Sequence, residues 1–386
     1  MRFHRLEGYL VRLPLKHTVR VADAPVQYCE TALVRLESDG VVGWGEVTPG
    51  NEPYLTSDWS GATYLTLRDC VAPRLVEMKA CANAKSLAEA LTSIKGNNAA
   101  KAAVELAWQD LNARKLGRPL WQALGGAKKP IKVGLTFDRS TEREAFFAAL
   151  ARANEENFAR ITLKMRPGWD VQVLNFARLD SPHYLQLQVD VEGALDLDMH
   201  ADTLYRMDDF FLTCVEQPLN PRDFVSHAML HERLRTPVCL DESIESIKDV
   251  EIALDLNAAN LFCLKPERVG GLENALEIAK FAAANDAKSY VGVELTSSLA
   301  YRHLVALAAA VDSELPTDYL RFDELFERDT VPALKTTVIE EPGDEEKKRP
   351  PRPYRFVELW DEPGIGVEPD LDALADCVLD KFEVMI

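Results

Sequence analysis

Along residues 1 to about 50 the apolar positions alternate with polar ones or fall on β-branched residues. Tyr9 to Leu13, Thr31 to Glu37 and Val41 to Val47 read as strands, with Ser38-Asp39-Gly40 as the turn between the last two. From 60 to 125 the apolar spacing lengthens to that of helices. Ala99 to Leu116 is the clearest, with Gly117 as its stop and Gly125-Gly126 closing the region. Strands followed by helices without alternation predict an α+β module over residues 1–128.

After Lys129 short apolar runs alternate with helical stretches. The runs are Ile131–Phe137, Arg160–Met165, Tyr184–Val189, Phe210–Val215, Val238–Leu240, Leu261–Leu264 and Ser289–Val293. Helical patterns lie between them, among them Asp223–Leu234, Ile247–Leu256 and Leu272–Ala284. Such alternation means βα units on a parallel sheet. Their number over 129–315 favours a closed barrel, with an open doubly wound sheet as the alternative. From Pro316 the pattern changes again. Glu340 to Pro353 is acidic, then basic, then Pro-rich, and reads as a solvated loop. Phe356 to Trp360 reads as a strand and Leu371 to Val384 as a closing helix.

Composition narrows the function. Apolar residues make up 47% and charged residues 27% of 386, enough for a sizeable core. The 44 Lys and Arg against 62 Asp and Glu leave a net charge of −18, which argues against nucleic acid as a partner. There is neither a long apolar run nor a signal-like start, so no membrane is expected. Seven cysteines, without a C-x-x-C pair, fit a reduced cytoplasmic protein. A Walker-A loop, H-E-x-x-H and G-x-S-x-G are all absent.

The candidate chemistry follows the strand-like runs. Lys164, Asp190, Glu216, Asp241 and Lys265 each come directly after one. They recur about 25 residues apart, one βα unit each, so a barrel brings them to one rim at its C-terminal face. Three carboxylates from the middle strands suit Mg2+, and two lysines flank them. Polar residues at solvent-facing strand ends are the plainer explanation for any one of these, but not for five in a row.

Asp190-Val191-Glu192, Val215-Glu216-Gln217-Pro218-Leu219, Cys239-Leu240-Asp241-Glu242-Ser243-Ile244 and Lys265-Pro266-Glu267-Arg268-Val269-Gly270-Gly271 resemble the enolase superfamily. Lys164-Met165-Arg166-Pro167-Gly168-Trp169-Asp170 resembles the segment beginning at the second lysine of its K-x-K motif. The likeness spans the chain and is nearest the muconate-lactonising subgroup of the mandelate racemase/muconate lactonizing enzyme family. Within it, the o-succinylbenzoate synthase and N-acylamino-acid racemase branch is nearest. It implies an α/β fold, a modified TIM barrel (β/α)7β, with a cap formed by the N-terminal region and the C-terminal segment 316–386. It also implies Mg2+, with Mn2+ as the alternative ion, on Asp190, Glu216 and Asp241, and acid/base roles for Lys164 and Lys265.

The implied chemistry is removal of the proton α to a carboxylate by way of an enediolate. The first expectation is o-succinylbenzoate synthase-type dehydration. N-acylamino-acid racemisation and muconate cycloisomerisation are the alternatives, and a silent metal-binding homologue is the reading from another class. The partner is a small carboxylate, and a homo-oligomer is in keeping with relatives.

Three departures stand out. Thr162 replaces the first lysine of K-x-K, and Glu192 replaces the usual Asn. Residues 162, 164 and 166 share a strand face, so Arg166 is expected to pair with Glu192, the alternative being two solvated side chains. Third, Gly292-Val293-Glu294-Leu295-Thr296-Ser297-Ser298 replaces a Gly-rich substrate loop. Substrate contacts are assigned to Arg20, Thr162, Glu294, Thr296 and Ser297, with ordinary loop polarity as the alternative. Parity puts Cys214, Cys239 and Cys263 inside the barrel as small fillers, one layer below the metal, with a thiolate metal site as the alternative. His183, His227 and His231 read as ordinary.

Overall fold

The computed structural model describes residues 1–137, 143–167, 171–180, 185–311, 313, 315–343 and 350–386. His183, Gly168-Trp169-Asp170, Tyr184 at the head of its strand-like run and the charged stretch 344–349 lie outside the described residues.

The chain opens with an antiparallel meander, β1 (Arg5–Val21), β2 (Ala24–Ser38) and β3 (Val41–Val47). Val11, Leu13 and Leu15 alternate into the core from β1. The β2–β3 turn has two central residues, Asp39 and Gly40, both at positive φ, which matches the right-handed twist of the hairpin. Helix Asn98–Lys115 lies directly on β3. A Cβ on Gly45 would stand 2.1 Å from the Ala103 carbonyl oxygen, so only glycine lets the helix approach.

The barrel strands are β4 (Ile131–Phe137), β5 (Arg160–Lys164), β6 (Gln186–Asp190), β7 (Val215–Glu216), β8 (Val238–Leu240), β9 (Leu261–Leu264), β10 (Lys288–Val291) and β11 (Thr317–Tyr319). They pair in parallel from β4 to β10, and β11 pairs back onto β4. The Thr317 hydroxyl donates to the Val291 carbonyl at 2.7 Å, which ties β11 to β10. Each of the seven connections between the eight strands carries at least one helix among the described residues, so the sheet is the closed (β/α)7β form and not an open one. The last strand falls beyond residue 315, where the sequence reading ended the barrel.

Ladder register decides which rim residues stand level. Lys164 is opposite Asp190, and Asp190 opposite Glu216. Glu216 is then opposite Cys239, and Leu240 opposite Phe262. One residue further, Asp241 comes level with Cys263. This stagger is the shear a closed barrel requires.

Three local expectations are corrected. The run Phe210–Val215 is a strand only at its end. Met207–Phe210 is a 3-10 turn, and Phe211 takes a left-handed conformation that interrupts extension. Part of the expected loop is a hairpin, β12 (Thr336–Glu341) with β13 (Arg352–Val357), whose second strand joins the start of β4. Glu341 pairs there with Lys132 at 2.5 Å. The expected closing helix is instead the short turn Ala375–Cys377 and then β14 (Val378–Met385), antiparallel to β1. The free edge of β1 offers a full ladder, and Phe382 fills the space left by Gly8. No described helix is long and apolar enough to cross a membrane.

Candidate active site

Lys164, Asp190 and Glu216 end β5, β6 and β7, while Asp241 and Lys265 follow β8 and β9 directly. The structure brings all five to one rim. The Lys164 ammonium meets the Glu192 carboxylate and lies 3.8 Å from Asp190 and 3.9 Å from Glu294. Lys265 is buried, donates to Asp241 at 2.7 Å and also contacts Glu294. Glu294 thus reaches from one lysine to the other. Arg268 holds the second oxygen of Asp241.

The expected Arg166–Glu192 ion pair is present. Glu192 lies between Lys164 and Arg166, its backbone N–H donates to Asp190 at 3.1 Å, and its φ of 50° puts it in the left-handed region. Such a conformation in a non-glycine residue is held by its surroundings, here two cations and a carboxylate. Arg166 also lies 3.4 Å from Asp23, in the β1–β2 turn, so a cap loop reaches the rim.

Burial raises the Asp190 carboxyl to about 6, although Lys164 and Lys265 oppose this. Glu216 is pushed well up by burial and then by Asp190 and Asp241. Its contacts are neutral donors, the Gln188 amide and the Tyr290 hydroxyl, the latter at 2.7 Å. Burial would also raise Asp241, but Arg268 and Lys265 outweigh it and hold the group below the ordinary carboxylate range. Burial would lower Lys265, yet Asp241 and Glu294 hold it well above an ordinary lysine. Glu242 is buried with both oxygens lacking a hydrogen-bond partner among the described residues, and burial with nearby Asp241 lifts it to about 8.

These carboxylates fit a divalent cation, since two are forced toward protonation and a third lacks any donor. Ligand atoms of Glu216, Asp241 and Cys263 all lie within 4.8 Å of one another, as do those of Asp241, Glu242 and Glu294. Asp190 joins neither group and stands nearer Lys164.

The assigned substrate contacts divide. Glu294 is part of the rim. Thr162 is buried beneath Lys164, with its hydroxyl unpartnered. Arg20 is exposed and bonds the Asp23 carbonyl, outside the cluster. Thr296 and Ser297 bond Thr48 at 2.8 Å and Glu46 at 2.5 Å, and so serve the cap–barrel seam. Sequence reasoning missed the network under the rim. Fully buried Arg160 contacts Asp318 and stacks on Tyr290, whose hydroxyl reaches Glu216 and Gln188. The signal available was parity, since Gln188 is two residues before Asp190 and Arg160 four before Lys164.

Comparisons with known proteins identify the family. Residues 8–125 match the family model for the mandelate racemase / muconate lactonizing enzyme N-terminal domain, and residues 146–373 match that for enolase C-terminal domain-like proteins. An o-succinylbenzoate synthase of Geobacillus stearothermophilus is 33% identical over 361 residues, 93% of this chain and 92% of that protein. An N-succinylamino acid racemase of Thermus thermophilus is 34% identical, covering 86% of this chain and 89% of that one. The solved structure of an enolase-superfamily member from Listeria innocua superposes with a TM-score of 0.89 at 28% identity, covering 100% of this chain and 99% of that one.

Proposed function

The chain belongs to the mandelate racemase / muconate lactonizing enzyme family of the enolase superfamily, and from that premise we propose that it is an enzyme removing the proton α to the carboxylate of a small acid. We propose dehydration of the o-succinylbenzoate synthase type as the specific reaction.

The observation that carries this reading is the asymmetry of the two lysines. Lys265 is buried, faces Asp241 and Glu294, and is held protonated. It serves as a fixed cation on one side of the substrate, stabilising negative charge that grows as the proton leaves. Lys164 is part-exposed at the rim, and its Nζ receives the α-proton and returns it to the departing hydroxyl. Glu192 orients the Lys164 side chain. Asp190, Glu216 and Asp241 would hold Mg2+, or Mn2+ in its place, which supplies positive charge against the substrate carboxylate and so acidifies its α-carbon.

The apolar side chains Val21, Val26, Tyr54, Leu55 and Leu295 line a cavity between cap and rim, and exclude water from the distal part of the substrate.

The test is proton NMR in D2O with Mg2+, over N-succinyl amino acids, muconates and sugar acids. Protein-dependent loss of the α-proton signal, abolished by Lys164→Ala, is the expected result. Exchange that survives Lys164→Ala would remove Lys164 as the base. No exchange with any of these acids would favour a silent metal-binding homologue. In a two-base racemisation Lys265→Ala abolishes racemisation. In a one-base dehydration it slows the reaction by losing a charge.

A further inference from the structure

Cys263 does not sit a layer below the carboxylates, as its place two residues before Lys265 suggested. Barrel stagger brings it level with Asp241. Its sulfur lies within 4.8 Å of carboxylate oxygens of both Glu216 and Asp241. We propose that the centre holds two overlapping donor sets, and that Glu216, Asp241 and Cys263 form a deeper one that takes a borderline or soft divalent cation (Zn2+, Co2+ or Cd2+) through sulfur. The proposal rests on the rim being a divalent-metal centre, as argued above.

Three observations support it independently of the acid cluster. The Cys263 thiol is 2% exposed and has no hydrogen-bond partner among the described residues. Glu216, facing it, accepts hydrogen bonds only from neutral groups, the Gln188 amide and the Tyr290 hydroxyl, among the described residues. Gly292 lies against the sulfur, where a Cβ would stand 2.2 Å away. Its backbone is not left-handed, so what glycine provides here is room for the sulfur.

The dimensions suit such an ion. Zn–S is about 2.3 Å and Zn–O about 2.0–2.2 Å, so neighbouring donors around a tetrahedral ion stand about 3.5 Å apart. The triad, whose donor atoms lie within 4.8 Å of one another, has to contract by at most about 1.3 Å to close on one ion. Hard ions prefer the oxygens of Asp190, Glu216 and Asp241, whereas softer ions favour thiolate. As the metal–sulfur bond forms, the thiol proton leaves to solvent, and no oxidant or reductant is required. The other triad, Asp241 with Glu242 and Glu294, carries no such proposal, because it offers oxygen donors only and so gives a soft ion no preference, while Lys265 and Arg268 hold the Asp241 that both triads share. Cys214 and Cys239 pack with Cys263, Leu261 and Tyr290 in one cluster but, unlike Cys263, join neither triad.

The test uses the full chain freed of metal with a chelator. Co2+ is titrated while the near-ultraviolet thiolate-to-cobalt band is followed, and Mn2+ binding is measured in parallel by electron paramagnetic resonance. The expected result is a band in the natural protein and in Cys239→Ser that is lost in Cys263→Ser. Mn2+ binding persists in all three, and the preference for Zn2+ over Mn2+ drops at least about tenfold in Cys263→Ser. A 113Cd chemical shift in the sulfur-ligated range, read on the natural protein, needs no variant to fold. Normal Mn2+ binding without a cobalt–sulfur band, or a band that survives Cys263→Ser, overturns the proposal and leaves the rim metal centre intact. Failure to bind either ion overturns both.

Discussion

Two sets of buried carboxylates, at the cap–barrel seam and at the barrel rim, show how one cost leads to two outcomes. At the seam, burial raises Glu46 and Glu105 to about 7 and Asp110 to about 6. Each is answered by donors. Ser297 serves Glu46, and the Leu272 N–H and the Gln109 amide, both at 2.8 Å, serve Glu105. The backbones of Trp44 and Ile365, with Arg114, serve Asp110. At the rim, burial is compounded by other carboxylates, and donors are too few. A buried acid met by N–H groups ties two bodies together, whereas buried acids that face one another require a cation.

The contrast can be broken at several points. The largest effect is expected from Lys164→Ala, which should slow α-proton exchange by about 10²–10⁴-fold while leaving the melting temperature nearly unchanged. Glu192 keeps Arg166 as its partner in that variant. Next, Mg2+ or Mn2+ at a hundredfold excess over its Kd should stabilise the protein by about 2.7 kcal/mol, reversed by chelator and seen equally in Glu105→Gln. Calorimetry with no metal-dependent shift would remove the rim as a cation site.

Third, Glu105→Ala should cost about 1–3 kcal/mol in denaturant unfolding, because it strands the buried N–H of Leu272 and the Gln109 amide. Mn2+ affinity should not change. Fourth, the seam predicts a sign for pH. Glu46 and Glu105 are held near 7 when folded and near 4.5 when unfolded, so the fold binds protons that the unfolded chain releases. Stability should therefore fall as pH rises from about 4.5 to about 7, by at most about 1.4 kcal/mol per unit for each group, and then level off. Glu105→Gln should flatten that slope, and a slope unchanged in this variant would contradict the assignment. The smallest effect belongs to Asp23→Asn. Its 3.4 Å pair with Arg166 is half-exposed and should be worth at most about 1 kcal/mol.

Much of the rim was legible because its signal is local. Each of the five ionisable residues follows its own apolar run, and the runs need no knowledge of one another. Arg166 and Glu192 were legible as a pair because parity put Arg166 on the face of Lys164. Asp318 was not, because only barrel closure sets its strand beside β4, across whose Gly134 it reaches Arg160 on β5. The seam contacts of Thr296 and Ser297 were not legible for a related reason. Their polarity resembles that of a substrate loop, yet the cap places Thr48 and Glu46 against them. The C-terminal strand was mistaken for a helix since its partner, β1, stands at the other end of the chain.

The sequence by itself determined the repeating βα units and the charged residue that closes five of their strands, since these follow from periodicities within a few residues, while the cap made from both ends of the chain was implied by the family resemblance. The tertiary structure alone decided the levels. Shear raises Cys263 to the height of Asp241, closure puts Asp318 beside Arg160, and cap docking turns hydroxyls and backbone N–H groups toward Glu46 and Glu105. Each of these depends on hydrogen-bond register or docking between segments far apart in the chain, which no local pattern encodes.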